Sequence, residues 1–396
     1  MMIKTWRWYG PHDSVSFDDI KQSGVTEIVT SLHDKPYGAL WTKEAIKKRQ
    51  SLLKENGLNW LVVESIPVHE DIKTRTGNFK EYIKNYKQSI ENLAACRIRI
   101  VCYNFMPIMD WTRTNLYYRL ENGATTVKFE FIALAAFDLF ILKRKNAEAD
   151  YTKEEISSAE KYFSSLDAER TETLIQTLIA NLPGTDKKYT LDEFREVLLK
   201  YRNIDENTLK EHLFLFLKEI IPVAERTGVR MCIHPDDPPF TLLGLPRIVS
   251  TINDISDIIN AVDSPVNGLT YCTGSLGVRK DNDLSKIFTK FSNKVHFIHL
   301  RSTLRDEKKN FFEATHIDGD VDMYQIIKLI LLEQKRRKEL GRKDAAIPMR
   351  PDHGHQMMDD LNKKFYPGYS CIGRMKGLAE LRGMEMGILK SLTFYD

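Results

Sequence analysis

The chain has 396 residues, 42% of them apolar and 10% aromatic, enough to bury a large core and more than most single domains other than an α/β barrel. Its 58 basic residues nearly balance 55 acidic ones, and the net charge of +3 gives no electrostatic reason to expect nucleic acid or an anionic membrane as partner. The five cysteines are odd in number, scattered and free of any CxxC pair, which suits a reducing cytoplasm better than a disulfide framework. The opening residues MMIKTWRWYG lack the apolar core of a secretory leader, and the greasiest run, 131–142, contains Asp138 and falls short of the ~20 residues a membrane span needs. A soluble cytoplasmic protein acting on a small molecule is expected.

Lys4-Thr5-Trp6-Arg7-Trp8-Tyr9 is aromatic-rich and stops at Gly10-Pro11, a strand with a turn behind it. Residues 16–23 have helical potential, and 26–30 form a second strand that ends near His33 and Asp34. A helix over 43–56 closes at Gly57 before a third strand over 60–64, and a helix over 79–95 precedes a fourth strand over 98–103. Strand and helix alternate, which argues for βαβ units, a parallel sheet and right-handed crossovers.

Between about 110 and 209 the rhythm breaks. Thr152-Lys153-Glu154-Glu155 and Thr190-Leu191-Asp192-Glu193 both match the S/T-x-x-E capping box, so this stretch is expected to be a mainly helical insertion after the fourth strand. A structural elaboration or dimer surface is preferred to a lid, because loops that close over a site are usually far shorter. The alternation resumes with a helix over 211–226, which Pro222 should kink or divide and Gly228 should cap. Strands five, six and seven cover 229–233, 268–272 and 295–301; the helix after the seventh has Asp320 or Asp322 as N-cap and Gly341 beyond its end. An eighth strand over 345–349 completes a (β/α)8 TIM barrel, one domain over 1–396 with 110–209 inserted.

Four consecutive strands then end in residues that bind metals: His234 on the fifth, Cys272 on the sixth, His299 on the seventh and Asp352 on the eighth. In a closed barrel the carboxyl ends of adjacent strands are neighbours, so these side chains can converge although they are far apart in sequence. Two imidazoles, a thiolate and a carboxylate make a first shell for a divalent transition metal, and the thiolate disfavours Mg²⁺ and Ca²⁺. Taken singly, each has a plainer reading: a small core cysteine, a hydrogen-bonded histidine, an Asp bonding its own turn backbone. Their shared position at one end of four successive strands outweighs that. Alternation puts Phe297, His299 and Arg301 on one face and His296 and Ile298 on the other, so His299 is chosen as the inward histidine.

Arg301 could grip a carboxylate with its planar fork, or form an ordinary ion pair. His353 beside Asp352, and Tyr369 after the turn at Pro367-Gly368, are candidate acid/base residues. Tyr366 and Cys371 read as packing, and Thr273-Gly274-Ser275-Leu276-Gly277 as a βα turn rather than an anion cradle. Asp236 and Asp237 are either partners behind the ligands or a solvated loop.

At these residues the sequence resembles the D-mannonate dehydratase family of the metal-dependent, xylose-isomerase-like barrels. The likeness rests on Thr5-Trp6-Arg7-Trp8-Tyr9-Gly10-Pro11, His234-Pro235-Asp236-Asp237-Pro238-Pro239, His296 to Arg301, Arg350-Pro351-Asp352-His353-Gly354-His355 and Pro367-Gly368-Tyr369, and runs to Gly383. The resemblance implies dehydration of D-mannonate to 2-dehydro-3-deoxy-D-gluconate in glucuronate breakdown, with Mn²⁺ or Fe²⁺ as the cofactor. It also implies His234, Cys272, His299 and Asp352 as ligands, with His353 and Tyr369 as acid and base. In that scheme Tyr369 is the base, its pKa lowered from ~10 by the metal and Arg301, and His353 protonates the departing hydroxyl, though the two roles could be exchanged. The competing readings are a metal-dependent aldose–ketose isomerase and a catalytically inactive sugar-acid-binding barrel. A homodimer is expected from base rates alone.

Overall fold

Short runs rich in β-branched and aromatic residues, each followed by an amphipathic helix, can bury both faces of a strand only if the strands pair side by side beneath those helices. In the computed structural model, which describes residues 1–179 and 189–393, the strands are β1 (Ile3–Arg7), β2 (Glu27–Thr30), β3 (Asn59–Glu64), β4 (Ile100–Tyr103), β5 (Asn115–Arg119), β6 (Thr125–Phe129), β7 (Arg230–Ile233), β8 (Asn267–Cys272), β9 (Val295–Leu300), β10 (Thr303–Arg305), β11 (Phe311–Glu313) and β12 (Pro348–Pro351). Strands β1, β2, β3, β4, β7, β8, β9 and β12 pair in parallel in that order, and β12 closes on β1. The protein is an α/β TIM barrel.

Helix signals in the sequence recur as structure. Ser16 and Asp19 form a reciprocal cap on the helix Phe17–Gln22, and the boxes at Thr152/Glu155 and Thr190/Glu193 cap Lys153–Ser164 and Leu191–Leu199. Asp322 caps Met323–Glu339, and Gly228 closes Glu206–Thr227 at a φ of +68°, open to glycine without steric cost. The kink or break expected at Pro222 does not divide that helix, which runs continuously through it. Ile220, Ile221, Val223 and Ala224 are buried on both sides, so packing holds the helix across the missing N–H.

Two core layers result. Val29, Val62, Ile100, Cys102, Cys232 and Phe297 fill the barrel floor, and a larger apolar shell lies between strands and helices. The segment 110–209, expected to be mainly helical, also contributes the hairpin β5–β6, and its stretch 180–188 lies outside the described residues. That hairpin joins β11 and β10 in an antiparallel sheet, β10–β11–β6–β5, beside the barrel mouth. The apolar run from Phe131 packs into its own core, and Asp138 within it is fully buried against Arg144, at Nε 2.9 Å and Nη2 2.7 Å, and the Tyr151 hydroxyl at 2.9 Å. No helix among the described residues is long and apolar enough to cross a membrane.

Candidate metal centre

Register decides which side chains meet. Along β8 and β9 the ladder runs Leu269 opposite Val295, then slips by one residue so that Thr270 faces Phe297 and Cys272 faces His299. Without the slip Cys272 would face Ile298, whose side chain belongs to the outer shell, and His299 would point away from it. The bulge therefore places thiol and imidazole on one face at one level. On the other flank of β9, Arg350 pairs with His299, so the guanidinium enters at that level too.

His234, just beyond β7, completes the group: one donor atom each from His234, Cys272 and His299 lie within 4.8 Å of one another. His234 Nε2 is 3.1 Å from His299 Nδ1, and Asp352 Oδ2 is 3.8 Å from that nitrogen and 3.9 Å from Cys272 Sγ. The other His234 nitrogen, Nδ1, sits 2.6 Å from the Pro235 carbonyl and must donate to it, which leaves Nε2 as a lone pair. The buried Nε2 of His299 makes no aligned hydrogen bond, and Glu64 Oε2 lies 3.4 Å away. A proton held there turns the Nδ1 lone pair toward that of His234. Two facing lone pairs beside a thiol and a carboxylate fit a shared transition-metal cation, whose bonds to nitrogen of about 2 Å are compatible with the spacing.

Arg350 does most to hold these carboxylates ionised. Burial would raise the Glu64 carboxyl, yet Arg350, His299 and Arg7 hold it well below the usual range. Arg350 grips Glu64 bidentately, Nε to Oε2 at 3.1 Å and Nη2 to Oε1 at 2.8 Å, and its Nη1 bonds Asp352 Oδ1. Asp352 is likewise held far down against burial, by Arg350, His353 and His299. One arginine thus positions the carboxylate on each side of His299.

A pocket of about 60 Å³ opens above these donors, with Arg7, Tyr9, Ser65, Asn104, Asp110, Trp111, His353 and Tyr369 among its walls. A larger cleft near Phe240 and Arg279 holds no such cluster of donors among the described residues. Gly368, at φ +81°, makes the turn that lays the Tyr369 ring against His353, centroids 5.0 Å apart. Tyr369 Oη is 3.4 Å from Asp352 Oδ1. His353 has φ +59°, a left-handed conformation that costs a residue with a β-carbon about 1–2 kcal/mol. Its Nδ1 lies 3.0 Å from Glu313 Oε1.

Arg301 does not reach the pocket as expected. It is 1% exposed and is held by Glu313, Nε to Oε2 at 2.7 Å and Nη2 to Oε1 at 2.8 Å, and by Asp237 at 2.5 Å. Arg113 binds the same two carboxylates, at 2.8 Å to Asp237 and 2.9 Å to Glu313. A guanidinium taken fully out of water needs such neutralising partners, which explains why Arg301 is occupied. Nor is it the cation beside Tyr369, whose ring instead has Arg374 and Arg350 at 5.4 and 5.9 Å. In place of the lowered pKa expected, burial, with Tyr9 and Asp352 adding to it, holds the Tyr369 phenol well above 10.

Of the remaining candidates, Asp236 and Asp237 are both buried: Asp236 accepts from Val249 N at 2.7 Å and Ser250 Oγ at 2.8 Å, and Asp237 joins the arginine cluster. The stretch Thr273–Gly277 is a short helix, and a β-carbon at Gly274 would sit 2.3 Å from Arg301 Cδ, so glycine there makes room for that side chain. His296 faces the outer helices, near Arg230 and Arg337. Sequence reasoning missed Arg7, Glu64, Arg350 and Glu313. Applied to the first four strands as well as the last four, the strand-end rule would have found Arg7 on β1 and Glu64 on β3; nothing local marked Glu313.

Over residues 2–394 the chain matches the family model described as D-mannonate dehydratase (UxuA). It is 52% identical over 392 residues to a mannonate dehydratase of Marinomonas sp. (strain MWYL1), covering 99% of this chain and 100% of that one. It is 51% identical over 384 residues to a mannonate dehydratase of Saccharophagus degradans, 97% of each chain being covered. The solved mannonate dehydratase from Streptococcus suis serotype2 superposes with a TM-score of 0.77 at 31% identity, over 99% of this chain and 95% of that one.

Proposed function

The chain belongs to the D-mannonate dehydratase family, and from that membership we propose how its residues carry a metal-dependent loss of water from D-mannonate to give 2-dehydro-3-deoxy-D-gluconate. It is a hydro-lyase. The observation that carries the assignment is the meeting of His234, Cys272 and His299, with Asp352 3.8 Å from His299 and 3.9 Å from Cys272, beneath a pocket that also presents His353 and Tyr369.

Those four residues would hold one divalent ion per chain, Mn²⁺ or Fe²⁺ by family resemblance. Bound there, such an ion supplies Lewis-acid stabilisation of charge developing on the substrate oxygens. Glu64 and Arg350 hold His299 and Asp352 in place. The reaction removes the proton on C2 and expels the hydroxyl on C3, which must leave as water, so it needs two proton-transfer groups. Tyr369 and His353 divide the two transfers between them, one taking the C2 proton and the other protonating the departing oxygen; the enol left behind then becomes the 2-keto acid. The rings of Tyr9 and Trp111 supply apolar wall to the same pocket. Residues 1–396 act as one barrel domain carrying the insertion 110–209, in a cytoplasmic homodimer.

Metal analysis of the purified protein, paired with mass spectrometry after incubation with D-mannonate, tests this reading. The expected product is one water lighter than the substrate and reacts as a 2-keto-3-deoxy acid. A product of equal mass would mean aldose–ketose isomerisation, and stoichiometric metal without turnover of any hexonate would mean a binding barrel. Either result overturns the proposal.

A further inference from the structure

A sugar acid enters a pocket already rich in carboxylates, since Glu64, Asp110, Asp237 and Asp352 all line it. Besides the divalent ion that the four donors would hold, two guanidiniums line it and can face its charge, those of Arg7 and Arg350. Arg350 is fully committed, bidentate to Glu64 and bonded to Asp352. Arg7 makes no ion pair within 4 Å with any carboxylate among the described residues, its charge acting on Glu64 only from farther off. Its Nη1 donates to the Glu64 carbonyl, its guanidinium carbon sits 4.6 Å over the Tyr9 ring, and Nε and Nη2 donate to no described residue. Arg7 is 8% exposed, at the carboxyl end of β1, so its stem is fixed by the barrel while part of the fork is unspent.

We propose that Arg7 is the residue that recognises the substrate carboxylate and makes the pocket select sugar acids over neutral sugars and polyols. The inference rests on the dehydratase reading for the identity of the substrate, and on Arg7 being the one lining guanidinium without a carboxylate of its own. The Tyr9 ring beneath and the Glu64 carbonyl at one edge hold the planar fork still, and a fork so held meets both oxygens of a carboxylate with little further ordering. The polyol end of the chain then falls toward Asn104 and Asp110, whose side chains are themselves bonded at 3.3 Å and offer acceptors and a donor for hydroxyls.

The test compares D-gluconate with D-sorbitol, the same six-carbon chain with and without a carboxylate, as ligands of the metal-loaded protein by calorimetry. Wild-type protein should prefer the acid. Arg7→Gln should lower that preference by about 10- to 100-fold, the weight of one charge-assisted contact, and raise KM for D-mannonate by a similar factor at unchanged metal content. Arg7→Lys, which keeps the charge and loses the fork, should fall between; it serves as the readout if Arg7→Gln does not fold. Undiminished preference for the acid in either folded variant, or no preference in the wild type, overturns the role of Arg7. Wild-type protein that prefers the acid yet never dehydrates D-mannonate would sink the dehydratase reading instead, while leaving Arg7 supported.

Discussion

Glu313→Gln probes the charge cluster that joins the small antiparallel sheet to the barrel mouth. Glu313 is 1% exposed and accepts from Arg301 Nε and Nη2 at 2.7 and 2.8 Å and from Arg113 Nη2 at 2.9 Å. The amide keeps one acceptor oxygen but turns a donor toward a guanidinium, and it leaves Asp237 as the sole carboxylate for two buried arginines. Removing one partner from a buried ion cluster costs about 3–5 kcal/mol, against about 0.2–1 kcal/mol for an exposed pair. At about 2.1 cal/mol/K of unfolding entropy per residue, 396 residues give about 0.8 kcal/mol/K, so the buried case lowers the melting midpoint by about 4–6 °C and the exposed case by about 1 °C. Differential scanning calorimetry of the two proteins in one buffer distinguishes them. Arg301→Met combined with Glu313→Leu should recover much of the loss, because Arg113 and Asp237 then remain as a one-to-one pair. A midpoint within 1 °C of wild type for Glu313→Gln alone would refute the claim that these charges are held out of water.

The other predictions concern ligand orientation, proton transfer and pH. Glu64→Gln should weaken metal binding by about 10- to 100-fold in a chelator competition, as loss of a carboxylate behind a ligating histidine does; unchanged affinity would mean Glu64 does not orient His299. Tyr369→Phe should retain metal and substrate binding but lose turnover, and normal turnover in that variant would remove the tyrosine from the mechanism. His316 is buried, and burial, with His355 and Lys376 adding to it against Asp352 and Glu313, lowers its imidazole pKa to about 4 from 6.5. The folded value is the lower one, so the unfolded chain binds the extra proton: the contribution is complete above pH 6.5 and is lost as the pH falls through about 4. That amounts to about 3 kcal/mol at the acid limit, and His316→Gln should flatten the stability curve in that window. A variant curve as steep as the wild type would place the acid loss on other groups.

Much of the architecture was legible because it is written in local pattern. Apolar runs of four to six residues, punctuated by Gly57, Gly228 and reciprocal caps, suffice to count strands and helices, and a closed barrel follows from that count. Pro222 starts no new segment, because the loss of one helical hydrogen bond is a local signal and the burial that offsets it is not. The hairpin β5–β6 was read as part of a helical region because its pairing partner, β11, lies nearly two hundred residues away.

The candidate site divides in the same way. By itself the sequence established that His234, Cys272, His299 and Asp352 stand at the same end of consecutive strands, since strand order and strand ends are properties of neighbouring residues. Tertiary structure alone decided that the slip between β8 and β9 turns His299 toward Cys272, that Arg301 is taken by Glu313 and Asp237, and that Arg7 is left with an unspent fork. The physical reason is that a charged side chain's role depends on which opposite charge reaches it first in the dry interior, and that is settled when segments distant in the chain pack together.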